Sequence, residues 1–248
     1  GGRPVAEQIA AGRALRHELT IGDTVRVGFA EGEITAIEAI DTLLSEEYAT
    51  RETRRIDVAL RTAKLLPVKT LEGFDFGFQP AMEKSRIETL ATCSWIREHA
   101  CVLFQGPPGT GKTHMAVALG VKAIENGFSV AFYRLDVLLH AMKQDADVSP
   151  QKLRRKKYLN VALLIIDEVG FQPMSRQEAS LFFRLVSFRY QRGATLITTN
   201  KAVKDWPEIL AGDVAMTTAL LDRLLHRCHV FNIKGRSYRL RNLEQMLK

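Results

Sequence analysis

Two short stretches of this 248-residue chain hold side chains whose types and spacing suit phosphate chemistry. The first, Gly106-Pro107-Pro108-Gly109-Thr110-Gly111-Lys112-Thr113, fits G-x-x-x-x-G-K-[ST] throughout. Its glycines let backbone N–H groups turn inward around phosphate oxygens, and the helix it opens adds the positive end of a dipole. Lys112 is expected to reach the β- and γ-phosphates of ATP, and the Thr113 hydroxyl to ligate Mg2+. The second stretch, Asp167-Glu168, closes the apolar run 161–166, so two acids stand at the carboxyl end of a buried strand. Open α/β sheets bind their ligands at that edge.

Asp167 is then placed to hold magnesium through water, and Glu168 to orient or deprotonate the attacking water. A kinase must exclude that water, so the second acid favours hydrolysis. Asn200 ends another apolar run, 194–199, and by the same edge rule reaches the γ-phosphate or the water. Asparagine is also a turn former, so this reading depends on the other two motifs. Near the C-terminus, residues 220–225 carry Arg223 and residues 235–239 carry Arg236 and Arg239. Arginines stabilise transferring phosphoryl charge, in cis or from a neighbouring subunit; simple surface charge is the alternative for each.

These groups need a scaffold, and the hydrophobic pattern supplies one. Short apolar runs at 101–105, 129–133, 161–166, 194–199 and 229–233 alternate with amphipathic helices. That alternation predicts a parallel sheet covered on both faces. The first helix stops at Asn126-Gly127, and Ser175 with Glu178 forms a capping box for a later one. Upstream, residues 41–64 read as a helix, interrupted near Thr50, with Glu47/Arg51 and Asp57/Arg61 as i,i+4 ion pairs. Ile56 with Leu60 and Ala59 with Ala63 form its apolar stripe. Residues 24–27 and 33–35 are candidate short strands. Pro67, Gly73 and Gly77, among Phe74, Phe76 and Phe78, mark an extended linker. The expected fold class is α/β: a three-layer P-loop domain with a five-stranded parallel sheet over residues 67–248, plus a mainly helical N-terminal appendage over 1–66.

Composition narrows the function classes. Hydrophobic residues make up 46% and charged residues 25%, ordinary values for a folded globular chain. No run approaches a membrane span, and the first residues lack the layout of a secretory signal, so a cytoplasmic protein is expected. Cys93, Cys101 and Cys228 form no C-x-x-C pair, and His226 and His229 beside Cys228 lack further ligands; neither disulfides nor zinc is indicated. The net charge of +7 lies entirely beyond residue 64: residues 1–64 hold 9 basic and 11 acidic side chains, the remainder 26 and 17. Such an excess attracts polyanions. Lys152, Arg154, Arg155, Lys156 and Lys157 form one basic cluster, and Arg236, Arg239 and Arg241 another; either suits sequence-independent contact with the phosphates of double-stranded DNA. No base-reading module is visible.

In combination, GPPGTGKTH at 106–114, LLIIDEVG at 163–170, TTN at 198–200, DRLLHRC at 222–228 and GRSYRLR at 235–241 resemble the IstB-type transposition helper ATPases. These are relatives of the DnaC and DnaI helicase loaders within the AAA+ class. The resemblance runs from about residue 46 to 241 and brings His114 into the nucleotide-binding motif. It implies Asn200 as first sensor, Arg223 as an arginine finger given to a neighbouring protomer, and Arg239 as second sensor. It also implies ATP-dependent assembly on DNA, with target DNA marked for a partner transposase; the family's larger C-terminal lid is expected to be reduced or absent, since about nine residues follow Arg239. A helicase loader shares every motif and differs in its N-terminal partner domain. A small-molecule kinase is a third reading, opposed by the Asp-Glu pair and the basic balance.

Overall fold

Five apolar segments form the strands of one parallel sheet. The structure, a computed structural model, describes residues 36–146, 148–153 and 155–241; the candidate strands at 24–27 and 33–35 lie outside them, as does Arg154. In chain order the elements are α1 (Ala36–Ala63), α2 (Lys84–Ala91), α3 (Ser94–Arg97), β1 (Cys101–Gln105), α4 (Lys112–Glu125), β2 (Val130–Arg134) and α5 (Leu135–Gln144). There follow α6 (Pro150–Leu153), α7 (Lys157–Asn160), β3 (Leu163–Val169), α8 (Arg176–Arg189), β4 (Ala194–Thr199), α9 (Trp206–Ile209), α10 (Val214–Leu225) and β5 (Cys228–Asn232). The strand order is β2-β3-β4-β1-β5, with every pairing parallel.

Side-chain alternation along the strands divides the core into two layers. Val102 and Phe104 of β1, Leu163 and Ile165 of β3 and Leu196 of β4 face α2, α3 and α4. Cys101 and Leu103, Leu164 and Ile166, and Ile197 face α5, α8, α9 and α10. Because both faces are covered, the strands read as nearly continuous apolar runs. Gly127 (φ +81°) ends α4 beyond its C-cap, and Ser175 and Glu178 close a reciprocal capping box at the start of α8, both as the sequence predicts.

The chain forms two compact units, residues 1–55 and 56–248. The described part of the first is α1 as far as Arg55, which exposes Ile40, Leu44 and Tyr48 and carries ion pairs Glu47–Arg51 and Glu52–Arg55, both 2.6 Å. The second begins with Ile56, Leu60 and Ala63, which join Leu65 in the core, and Asp57 pairs with Arg61 at 3.0 Å. The expected interruption near Thr50 does not occur: α1 is unbroken from Ala36 to Ala63. No proline or glycine lies between those residues, a threonine costs a helix only a few tenths of a kcal/mol, and Thr53 returns its hydroxyl proton to the Ala49 carbonyl. The three cysteines are free thiols, and among the described residues no helix is long and apolar enough to cross a membrane.

Candidate nucleotide-binding and hydrolysis site

The phosphate loop leaves the carboxyl end of β1 and enters α4 through Gly111, the helix N-cap, at φ +92°. That left-handed conformation favours glycine, and a Cβ there would lie 2.5 Å from the Phe74 ring. Gly106 is confined as well: a Cβ on it would meet the Ile233 carbonyl at 2.2 Å. The segment following β5 therefore lies against the loop, and Tyr238 N–H donates to the Gly109 carbonyl at 2.9 Å. Pro107 and Pro108 stand between these contacts, and Thr110 closes the turn by donating to the Pro107 carbonyl.

Lys112 is 6% exposed, and its ammonium donates to the carbonyls of Gly106 (2.7 Å) and Pro107 (2.6 Å). Burial lowers its pKa to about 8; the Asp167 carboxylate pulls it back up, and the Arg239 guanidinium pushes it further down. The lysine thus already carries its charge inside the loop that phosphates would occupy. Thr113 donates to Asp167 Oδ1 at 2.9 Å, drawing the start of α4 onto the carboxyl end of β3 across 54 residues of chain. Two hard oxygen donors in contact fit Mg2+, which keeps most of its shell for waters and phosphates and needs no protein cage. Among the described residues no group of three or more His, Cys, Asp or Glu side chains stands ready to hold a metal by itself. His114 turns the other way: Nε2 lies 2.9 Å from the Thr70 carbonyl, and the ring meets Phe74 edge-on at 5.3 Å.

Asp167 is 4% exposed. Glu168, next in sequence, bulges the strand: its φ is +62°, and the β3–β4 register shifts between Ile166 and Val169. A left-handed non-glycine residue at a bulge aims its side chain away from its neighbours' faces. The Glu168 carboxylate accordingly meets Arg134 Nε at 3.1 Å, at the end of β2, and Arg134 also pairs with Asp136. Asn200 follows β4 directly, beside Thr199, whose carbonyl accepts from Gly106 N–H at 3.2 Å. Sequence reasoning missed Thr198, whose hydroxyl donates to Asp167 Oδ1 and accepts from Glu168 N–H at 3.1 Å. A threonine pair ending an otherwise apolar strand was the available signal. It also missed Arg134, which nothing in its local sequence sets apart.

The two arginines are placed differently from each other. Arg239 is exposed on the turn Tyr238–Leu240, in electrostatic reach of Lys112. Arg223 ends α10, five residues before Cys228, which lies opposite Cys101 at the start of β1. It is therefore at the amino edge of the sheet, about one strand length, ~16 Å, from this protomer's phosphate loop. Its Nη1 donates to the Ala219 carbonyl, and its guanidinium lies 5.2 Å from the Phe183 ring centre. Of the basic cluster, Lys152, Arg155 and Lys157 are exposed, whereas Lys156 is paired with Asp145 at 2.6 Å. Arg241 pairs with Asp75, and Arg236 is exposed.

A phosphate loop after β1, an aspartate-glutamate pair ending β3, and β4 with its asparagine inserted between them define a P-loop protein of the AAA+ class. Within that class the chain belongs to the IstB-like ATP binding protein family, whose match spans residues 23–246. It is 43% identical over 215 residues, 86% of this chain and 80% of the other, to a Pseudomonas aeruginosa protein named for ATP binding in insertion sequence IS21. A Geobacillus stearothermophilus counterpart from insertion sequence IS5376 is 36% identical over 208 residues, 84% of this chain and 82% of the other. Among solved structures, AMPPCP-bound DnaA from Aquifex aeolicus superposes with a TM-score of 0.57 at 22% identity, over 74% of this chain and 56% of that one. The DnaC helicase loader gives 0.53 at 22%, over 62% and 89%. At such identity these two show a shared fold.

Proposed function

We propose that this protein hydrolyses Mg-ATP at a site shared between subunits, assembles on double-stranded DNA as an ATP-dependent oligomer, and assists transposition by marking target DNA and activating a transposase. The observation that carries the reading is the Thr113–Asp167 contact beside Glu168, with Lys112 buried in the loop between them. Lys112 and the loop amides bind and orient the triphosphate. Thr113 and Asp167 would hold a magnesium ion, which would supply positive charge against the triphosphate. Glu168 takes a proton from water as its oxygen attacks the γ-phosphorus and the bond to the ADP oxygen breaks. Asn200 holds that water or the γ-phosphate, and Arg239 meets the phosphate charge from the same protomer. Arg223, at the far edge, serves a neighbour's nucleotide, which makes hydrolysis depend on assembly.

Residues 1–66 are proposed as the partner- or DNA-contact region, and residues 67–248 as the ATPase domain. Lys152, Arg155 and Lys157 supply backbone contacts to DNA. The family membership and the insertion-sequence relatives support the transposition setting over helicase loading. The test is ATP hydrolysis against protein concentration, with and without duplex DNA, at two salt concentrations. Activity per subunit should rise steeply with concentration, increase with DNA and fall with salt. Activity that is linear in protein and indifferent to DNA would sink the assembling-ATPase reading.

A further inference from the structure

The hydroxyl of Thr198 joins the two acids of the site. It is part of a side chain 1% exposed, in the middle strand of the three that build the carboxyl edge, and it makes two bonds of opposite sense. Its proton goes to Asp167 Oδ1, and its oxygen accepts the Glu168 N–H at 3.1 Å. The second bond falls on the residue with φ +62°, inside the register shift between Ile166 and Val169, where β3 makes no regular ladder bond to β4. A hydroxyl donates and accepts from a single atom, so one threonine serves both.

We propose that Thr198 is a positioning residue for Mg-ATP hydrolysis: its hydroxyl fixes the carboxylate plane of Asp167 for the metal and holds the Glu168 backbone in its left-handed bend. This rests on the reading of the site as an Mg-ATPase. Asp167 has two hydroxyl donors, Thr113 and Thr198. Thr113 would share its hydroxyl between Asp167 and a metal ion, so Thr198, bonded only to the two acids, is the donor held wholly within the protein that keeps Asp167 aimed. Groups that orient a ligand-bearing carboxylate typically change metal affinity or activity by about 10- to 100-fold when removed.

The experiment compares wild type with Thr198→Val, Thr198→Ala and Thr198→Ser. Binding of a fluorescent ATP analogue is measured with chelator and across Mg2+ concentrations, turnover is measured across the same series, and thermal denaturation confirms folding. Valine and alanine should keep the Mg-free affinity within about twofold, because the phosphate loop is untouched, yet need about tenfold more Mg2+ for half-maximal binding and turn over more slowly at saturation. Serine should restore both. An Mg2+ response like wild type in the folded valine or alanine variant overturns the proposal, as does serine behaving like valine, which would assign the effect to the methyl group. Loss of Mg-free affinity in every variant would make Thr198 a merely structural residue and overturn it equally. A wild-type protein indifferent to Mg2+ would instead remove the Mg-ATPase reading itself.

Discussion

The carboxyl and amino edges of the same sheet each hold a buried cation, and they treat it in opposite ways. At the carboxyl edge, Lys112 lies against two loop carbonyls, with Asp167 near enough to matter electrostatically and its pKa lowered to about 8. Its four-carbon stem ends in three rotatable donors, so it can exchange those carbonyls for phosphate oxygens. At the amino edge, Arg189 is 3% exposed and spreads its planar fork over the carbonyls of Leu159, Val161 and Ala194 and the Thr195 hydroxyl. Burial lowers its pKa to about 10. All three Arg189 nitrogens donate to groups around α7 and the starts of β3 and β4, so this cation is a fixed strut. A buried charge is functional where a flexible stem lets it exchange its partners and structural where a planar fork is pinned by several carbonyls at once.

Arg223 is the test of that contrast, being close to Arg189 at the amino edge yet assigned to chemistry. Arg223→Ala should keep nucleotide affinity and lose about 10³-fold in DNA-stimulated turnover, the range for a removed arginine finger. Mixing it with Glu168→Gln, itself inactive, should restore part of the activity, since one hybrid interface contains both wild-type groups. Loss of ATP binding by Arg223→Ala, or no recovery on mixing, would place Arg223 with Arg189 as a structural group.

Arg189→Met should act on stability, with the carbonyls of the three surrounding elements left unpaired: a loss of about 3 kcal/mol in chemical denaturation, roughly 100-fold in the folding equilibrium. Turnover by whatever remains folded should be near wild type. A stable variant with impaired turnover would reverse the assignment.

The smallest expected effect is on pH. Free Lys112 loses its proton near pH 8, whereas phosphates require the charged form, so ATP affinity should fall up to about tenfold per pH unit above 8. For the nucleotide-free protein the sign is reversed. Between about pH 8 and the unfolded value near 10.5 the unfolded chain holds a proton that the folded one has released, so folding stability rises with pH across that window. In Lys112→Met this rise should vanish from the melting temperature. If it persists, another group titrates there.

The local chemistry was legible because it is written in contiguous residues. The P-loop needs its glycines at fixed offsets from Lys112 and Thr113, and an acid pair ending an apolar run falls at a strand's carboxyl edge in any sheet of this kind. Five strands followed from five apolar runs: β1 and β4 coincide with theirs, and the ends of the other three shifted by one to three residues, so that β2 begins at Val130 and β3 spans Leu163–Val169, past the acids. The unbroken α1 was missed because no local signal separates a weak helix former from a break. It is Leu60 and Ala63 in the core, together with the absence of any breaker, that carry the helix on.

The sequence by itself thus pointed to the residues proposed to handle phosphate, metal and water, since those roles depend on side-chain type and on spacing within one turn or one strand. Tertiary structure alone decided which groups restrain them. Arg134 meets Glu168 only because β2 stops opposite Asp167 and a bulge turns the next residue outward. Thr198 reaches both acids only because β4 lies beside β3 in this register. Arg223 is separated from its own phosphate loop because α10 runs back to the start of β5. Each of these pairings joins residues tens of positions apart, and register and crossover geometry, which no local pattern encodes, set the distance between them.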